Sequence, residues 1–285
     1  MNQPMQTRPI ATLIRIAAIA ALLGFIRPHA FAAGEYDPWP DLAKQIFHGV
    51  PLQDGSAILG LEAPKRAEDA AIVPVTVTIN LPAGDTRRLV GLTLVVDQHP
   101  APLAGVFKIG PEAILTSLST RLRVDSYTNV HAVAELSDGG FYVTQRFVKA
   151  SGGCSAPMSK DPKEAAAAMG QLKLRQFARE ADASTGVAPS PDEREIQVML
   201  RHPNHSGMQM DQLTRLYIPP LFVDDLKVWQ GEDLIFALDG GISISEDPSF
   251  RFVYRMKSTS DFRVEVTDSN KHVYKGEFPN RGQQI

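Results

Sequence analysis

A single cysteine, Cys154, occurs in 285 residues, within Lys149-Ala150-Ser151-Gly152-Gly153-Cys154-Ser155-Ala156-Pro157-Met158. A thiolate is a nucleophile that can form a covalent adduct and later release it, and a free thiol of pKa ~8.5 is a few per cent ionised at neutral pH. Gly152 and Gly153 leave the backbone uncrowded beside the sulfur, and Pro157 discourages regular structure from closing over it. The pattern therefore predicts a thiol presented on a flexible arm, with Gly152 and Gly153 supplying the flexibility. Lys149 and Lys160 are nearby cations that could favour the thiolate. Two other readings fit the same cysteine: a small inert side chain inside a core, or one end of an intermolecular disulfide.

Other candidate groups are weaker. His202 and His205 have the H-x-x-H spacing of some metal ligands, but Pro203 lies between them and no third ligand is evident, so no metal site is expected. Asp224, Asp225, Asp239, Glu246 and Asp247 read as solvated turn carboxylates. Phe222, Trp229, Phe236, Phe250 and Phe252 fall in apolar runs and read as core. No triad, P-loop, C-x-x-C pair or haem attachment sequence is present, so neither catalytic residues nor a cofactor are assigned.

The elements that would position Cys154 are mostly strands. Pro40 to His48 predicts a short helix. Strands follow over 71–79, 89–96, 104–109, 113–124, 130–136 and 141–148, separated by turn signals such as Gln98-His99-Pro100 and Asp138-Gly139-Gly140. Pro74 marks an edge or a bulge in the first of them. The last runs directly into the cysteine segment. Residues 162–180 have helical composition, and 181–192 linker composition. A second strand-rich region then covers 195–200, 217–223, 225–229, 234–238, 250–256, 262–267 and 271–278. The expected fold is all-β: two immunoglobulin-like antiparallel β-sandwich domains joined by a helix-containing linker. The domains expected are 33–154, ending in the cysteine, and 194–285, with 155–193 between them.

Residues 1–32 read as a cleavable export signal. Arg8 and Arg15 precede an eleven-residue apolar run, Ile16 to Ile26, and Ala30-Phe31-Ala32 supplies the cleavage pattern. That run is shorter than the ~20 residues a spanning helix needs, and no later segment is longer, so the mature chain is expected in the exported compartment and not in the membrane. Without Arg8, Arg15 and Arg27 the chain keeps 26 basic against 32 acidic residues, a net charge of −6. That balance argues against nucleic acid as a partner.

Taken together, several motifs resemble a known pair of families. Ile72 to Ile79, Val95-Val96-Asp97-Gln98-His99-Pro100-Ala101-Pro102, Ser119-Thr120-Arg121-Leu122-Arg123-Val124 and Gly152-Gly153-Cys154 resemble SoxY. His202-Pro203, Ile218-Pro219-Pro220-Leu221-Phe222-Val223 and the run Ile244 to Phe252 resemble SoxZ. SoxY and SoxZ are the two subunits of the sulfur carrier of periplasmic thiosulfate oxidation, and their order here is similar to that of the single-chain SoxYZ-like carriers associated with quinoprotein dehydrogenases. The resemblance implies a non-enzymatic carrier whose Cys154 holds a sulfur-containing group. It also implies periplasmic sulfur-oxidation enzymes, or a quinoprotein dehydrogenase or cytochrome c, as partners, and intramolecular packing of the two halves. A docking or assembly module for such a dehydrogenase or cytochrome is the alternative. In SoxY the cysteine lies in a free C-terminal Gly-Gly-Cys-Gly-Gly tail. Here Ser155-Ala156-Pro157 follows it and the chain continues, so the arm becomes a loop tethered at both ends.

Overall fold

Strand register, rather than linker length, decides how the two halves combine. The computed structural model describes residues 37–157, 162–177 and 193–282, so the expected export signal and Lys160 lie outside the described residues. The described chain from Pro38 onward forms one unit.

Helix α1 (Trp39–Ile46) opens it, with Pro40 in the first turn, Asp41 near the positive end of its dipole and Lys44 near the negative end. The first half then supplies β1 (Leu52–Asp54), β2 (Leu59–Glu62), β3 (Val73–Ile79), β4 (Leu89–Val96), β5 (Leu103–Ile109), β6 (Ile114–Leu122), β7 (Thr128–Leu136) and β8 (Phe141–Val148). The second half supplies α2 (Pro162–Ala168), β9 (Leu172–Phe177), β10 (Glu193–Leu200), β11 (Val223–Gln230), β12 (Asp233–Gly240), β13 (Ser249–Arg255), β14 (Phe262–Asp268) and β15 (Val273–Phe278).

The fold is all-β, as expected, and its strands lie in two sheets. One has the order β1-β8-β7-β4-β5-β12-β11-β14-β15, the other β2-β3-β6-β13-β10-β9. Both sheets run without a break from the first half into the second. β5 pairs with β12, with Phe107 opposite Leu238, and β6 pairs with β13, with Leu118 opposite Phe252. An unpaired sheet edge exposes a row of N–H and C=O groups, and joining the halves edge to edge satisfies two such rows on each side of the join. The halves thus pack intramolecularly, and they do so through shared sheets.

Inward-facing residues fill the space between the sheets. In β14 they alternate strictly, Phe262, Val264 and Val266, and in β6 Leu118, Thr120 and Leu122 alternate while Leu115 lies beyond a register shift. The join itself is aromatic. Phe107 meets Phe236 at 5.8 Å and Phe250 at 5.9 Å between ring centroids, and Phe236 meets Phe252 edge-on at 4.9 Å. Phe236, Phe250 and Phe252 are core as expected, whereas Trp229 lies half-buried under the Arg263 guanidinium. Pro74 also fits its expected role, because β2 pairs only with Thr76–Ile79 and leaves β3 with one neighbour beside Pro74.

Two elements differ from expectation. The helix expected over 162–180 stops at Ala168, and Leu172–Phe177 is strand β9, paired with β10. Leu172 and Leu174, two residues apart, pack on the core with Lys173 and Arg175 outward, and burial of that two-residue pattern outweighs helical composition. The strand expected over 217–223 is instead a loop until Val223. Pro219 and Pro220 cannot donate to a ladder there.

Candidate functional site

Strand β8 leads into the cysteine segment, and the segment is docked rather than presented. Ala67 N–H donates to the Lys149 carbonyl at 3.1 Å. Gly152 N–H then donates to the Asp125 carbonyl at 2.9 Å and Gly153 N–H to the Val124 carbonyl at 3.1 Å. Cys154 N–H donates to Asp125 Oδ1 at 3.2 Å. The Cys154 side chain is fully buried. The expectation of an exposed thiol on a flexible arm is therefore corrected, and the glycines explain why. Gly152 has φ of 79°, which glycine adopts without strain. A Cβ on Gly153 would lie 2.2 Å from the Ala70 carbonyl oxygen and 2.6 Å from that of Val124. Gly152 supplies the left-handed turn and Gly153 the close approach to the Ala70 and Val124 carbonyls.

The second half of the chain closes over the segment. Ser206 Oγ donates to the Cys154 carbonyl, and Gln209 Nε2 donates to the Ala156 carbonyl at 3.1 Å. Gln209 Oε1 in turn accepts from Ser206 N–H at 3.2 Å, which ties the two residues together. Arg123, fully buried, spans both halves: Nη1 donates to the Gly153 carbonyl at 3.2 Å and Nη2 to the Asn204 carbonyl at 3.1 Å.

The sulfur itself faces a histidine. Cys154 Sγ lies 2.8 Å from His99 Nε2. His99 sits in the β4–β5 turn, and its Nδ1 lies 2.8 Å from the Ala101 carbonyl, 3.0 Å from the Ala101 N–H and 3.1 Å from Ser243 Oγ. Ser243 Oγ also donates to the Ala101 carbonyl at 2.7 Å. Two ring tautomers fit these partners. A proton on Nδ1 is donated to the Ala101 carbonyl and leaves Nε2 to accept from the thiol; a proton on Nε2 makes the sulfur the acceptor while Nδ1 accepts from Ala101 N–H. Either way a proton can pass along one line between sulfur and ring. Behind this turn, Asp97 Oδ1 holds His131 Nδ1 at 2.9 Å, and Trp39 stacks on the His131 ring at 3.6 Å.

Electrostatics keep the pair neutral. Burial, then the Asp125 carboxylate, push the Cys154 thiol up to about 12, against the smaller opposing pull of Arg123. Burial also moves His99 below the usual histidine value. At neutral pH the site therefore rests as thiol and imidazole. Lys149 is not the cation that acts on the thiol; the nearby positive charge is Arg123.

His202 and His205 are not brought to the sulfur. His202 Nδ1 accepts from Asn204 N–H at 3.1 Å, and His205 Nδ1 pairs with Gln209 Oε1 at 3.1 Å. Among the described residues, no group of three His, Cys, Asp or Glu side chains gathers to hold a metal. The residues that sequence reasoning missed are His99, Arg123, Ser206 and Gln209. His99 was visible as part of a turn and of a SoxY-like run, but 55 residues from its partner.

Comparison with known proteins places both halves. Residues 43–154 match the family of sulfur oxidation protein SoxY, and residues 186–279 that of sulphur oxidation protein SoxZ. No curated protein matches the chain. Among solved structures, the sulfur carrier protein SoxY from Chlorobium limicola f thiosulfatophilum is 26% identical, covering 40% of this chain and 91% of its own, with a TM-score of 0.33. Two variants of superoxide reductase (neelaredoxin) from Ignicoccus hospitalis are 15% identical, covering 39% of this chain and 90% of their own, with TM-scores of 0.29. The SoxY match ends on Cys154 itself, and the SoxZ match contains Ser206 and Gln209, which hold the cysteine segment down. The chain carries a SoxY domain and a SoxZ domain in one polypeptide.

Proposed function

We propose that this chain is an exported, periplasmic covalent carrier, not an enzyme, that holds a sulfur-containing intermediate on Cys154 while partner enzymes attach, oxidise and release it. The observation that carries the proposal is the position of the lone cysteine: the last residue of the SoxY domain, hydrogen-bonded through sulfur to His99. Joining a thiol to the outer sulfur of thiosulfate forms an S–S bond and releases one proton and two electrons. The proton passes to solvent once the segment has lifted, and a partner cytochrome c or quinoprotein dehydrogenase is the electron acceptor. The buried thiol, raised to about 12, is a resting form protected from adventitious oxidation. Loading requires the segment to lift from Ser206, Gln209 and Arg123, after which sulfur regains an ordinary thiol pKa in water.

The burial of Cys154 favours an alternative, a docking module for a quinoprotein dehydrogenase or cytochrome in which the thiol is inert. Leu213, Leu216 and Tyr217, exposed on the loop beyond Gln209, would then be its contact surface. Intact mass of the chain isolated from its own exported compartment without reductant, before and after a reductant is added, separates the two. The carrier is expected to show a reductant-sensitive increment of sulfur, sulfite or thiosulfate size mapping to Cys154, and function lost in Cys154→Ser. A bare Cys154 across growth conditions, with Cys154→Ser fully functional, would refute carriage.

A further inference from the structure

The outer face of the six-stranded sheet carries a cationic groove that the cysteine chemistry does not use. Along β9, β10 and β13, buried residues alternate with Lys173, Arg175, Gln197, Ser249 and Arg251, which face away from the core. Register aligns these side chains across the sheet: Thr76 opposite Ser119, Ser119 opposite Arg251, Arg251 opposite Gln197, and Gln197 opposite Arg175. That row crosses five strands, about 19 Å at ~4.8 Å per strand. It lies in a cavity of about 560 Å³ that is also lined by Arg121, Lys173 and Arg201.

The groove holds five cations against two carboxylates, Glu246 and Asp247, in a chain whose net charge is −3. Some of the cations are already engaged. Arg201 pairs with Asp247, and Arg251 pairs with Glu195 at 2.6 Å while lying 4.2 Å over the Phe177 ring. Arg121 gives Nη2 to the Asp247 carbonyl at 2.6 Å, with its Nε buried and without a hydrogen-bond partner. Lys173 and Arg175 are exposed and form no ion pair among the described residues. Between these ends lie Arg251 and the Gln197–Ser249 pair, joined at 2.8 Å, and on the β3 side of the groove the Thr76 and Ser119 hydroxyls meet at 2.9 Å.

The spacing decides what would fit. Arg121 on β6 and the pair Lys173 and Arg175 on β9 stand three strand intervals apart, about 14 Å, too far for one small oxyanion to bridge. An extended peptide of six residues spans about 20 Å and can place a carboxylate at each end. We propose that this groove binds an extended acidic segment of a partner protein, seated between Arg121 and the Lys173–Arg175 pair. The groove also reaches Ile72, two residues from the Ala70 carbonyl on which Gly153 packs, so the partner would sit beside the cysteine segment. The inference does not depend on what Cys154 carries.

The test is fluorescence anisotropy of a labelled hexaglutamate peptide titrated with the full chain at low salt. Binding that weakens at high salt is expected. Lys173→Glu combined with Arg175→Glu, both exposed positions, should weaken it by about tenfold or more. Lys108→Glu, on the other sheet, should leave it within about twofold. No binding by the unaltered chain would overturn the proposal, as would equal loss from Lys108→Glu or tighter binding of an oligothymidylate of similar length. Unchanged thermal melts of the variants exclude unfolding as the cause of any loss.

Discussion

Removing the two side-chain donors that cover the cysteine segment should expose the thiol by a calculable amount. Ser206→Ala deletes the bond to the Cys154 carbonyl, and Gln209→Glu replaces the donor to the Ala156 carbonyl by an oxygen while keeping the acceptor used by Ser206 N–H. Each leaves one carbonyl unpaired in the docked state but not in the lifted one. A lost buried hydrogen bond costs ~1–3 kcal/mol, so each variant should raise the lifted population by about fivefold or more. The two residues share a network, so their effects need not add, and the double variant should fall between about tenfold and a hundredfold. The assay is the rate of iodoacetamide labelling at Cys154, followed by intact mass at pH 8 and compared with the chain unfolded in urea. The unaltered chain should react at least about a thousandfold more slowly than the unfolded one, because a shift of three pKa units removes that much thiolate. Labelling of the unaltered chain at the unfolded rate would refute the burial argument. Acceleration below about threefold in the double variant would refute the role of Ser206 and Gln209.

Two further outcomes follow from the same geometry. The folded thiol is raised from 9.0 to about 12, so the folded state favours the protonated form. Its contribution is constant below the unfolded pKa and is lost as pH rises from 9 towards 12, up to about 4 kcal/mol in all. Urea melts at pH 7, 9 and 10.5 should therefore show a growing loss in the unaltered chain relative to Cys154→Ala; parallel curves would count against it. Phe107→Ala removes the ring that joins Phe236 and Phe250 across the two halves. It should cost about 3–5 kcal/mol in one cooperative transition seen by both tryptophan fluorescence and far-UV circular dichroism. Separate transitions for the two halves would show that the shared sheets do not couple them.

How much of this was legible in the sequence differs between fold and site. Most strands were legible because period-two burial is a local property: Val73, Val75 and Val77 alternate with Pro74, Thr76 and Thr78 in sequence as in space. Two-fold division of the chain was legible for the same reason. The sharing of sheets was not, since the β5–β12 and β6–β13 pairs join residues about 130 apart, and nothing in either strand names its partner. At the site, Cys154 stood out by being unique. Its environment was misread because glycine has two uses with one spelling: it frees a chain, and it lets chains touch. Only the positions of the Ala70 and Val124 carbonyls decide that Gly153 does the second. His99 was inside a quoted motif, yet the contact that gives it meaning is tertiary. The error over 162–180 had a similar origin, since alanine-rich composition described α2 but overran the Leu172–Leu174 alternation that pairs with β10.

The docked segment and the tether together set what opening must accomplish. Lifting Cys154 breaks the bonds from Gly152, Gly153 and Cys154 N–H, the Arg123 bond to Gly153, those from Ser206 and Gln209, and the sulfur's own bond to His99. At a net value of ~1 kcal/mol each, those seven bonds hold the lifted state at about one molecule in a hundred thousand. That cost approaches the stability of a whole domain, so thermal opening alone would present the thiol only rarely. A partner that binds the lifted form, or that competes for Ser206 and Gln209, shifts the population by its differential affinity and by nothing else. Reach is limited as well. Twelve residues separate Lys149 from Pro162, and a loop that goes out and returns over twelve residues projects at most about 20 Å. On the carrier proposal, a partner active site serving Cys154 would therefore come close to the surface formed by the β4–β5 turn and the Ser206–Gln209 loop, rather than receive a long free arm. Fusion of SoxY and SoxZ domains is consistent with that demand, because the residues that cover the thiol and the residue that bears it then arrive in one chain at fixed stoichiometry.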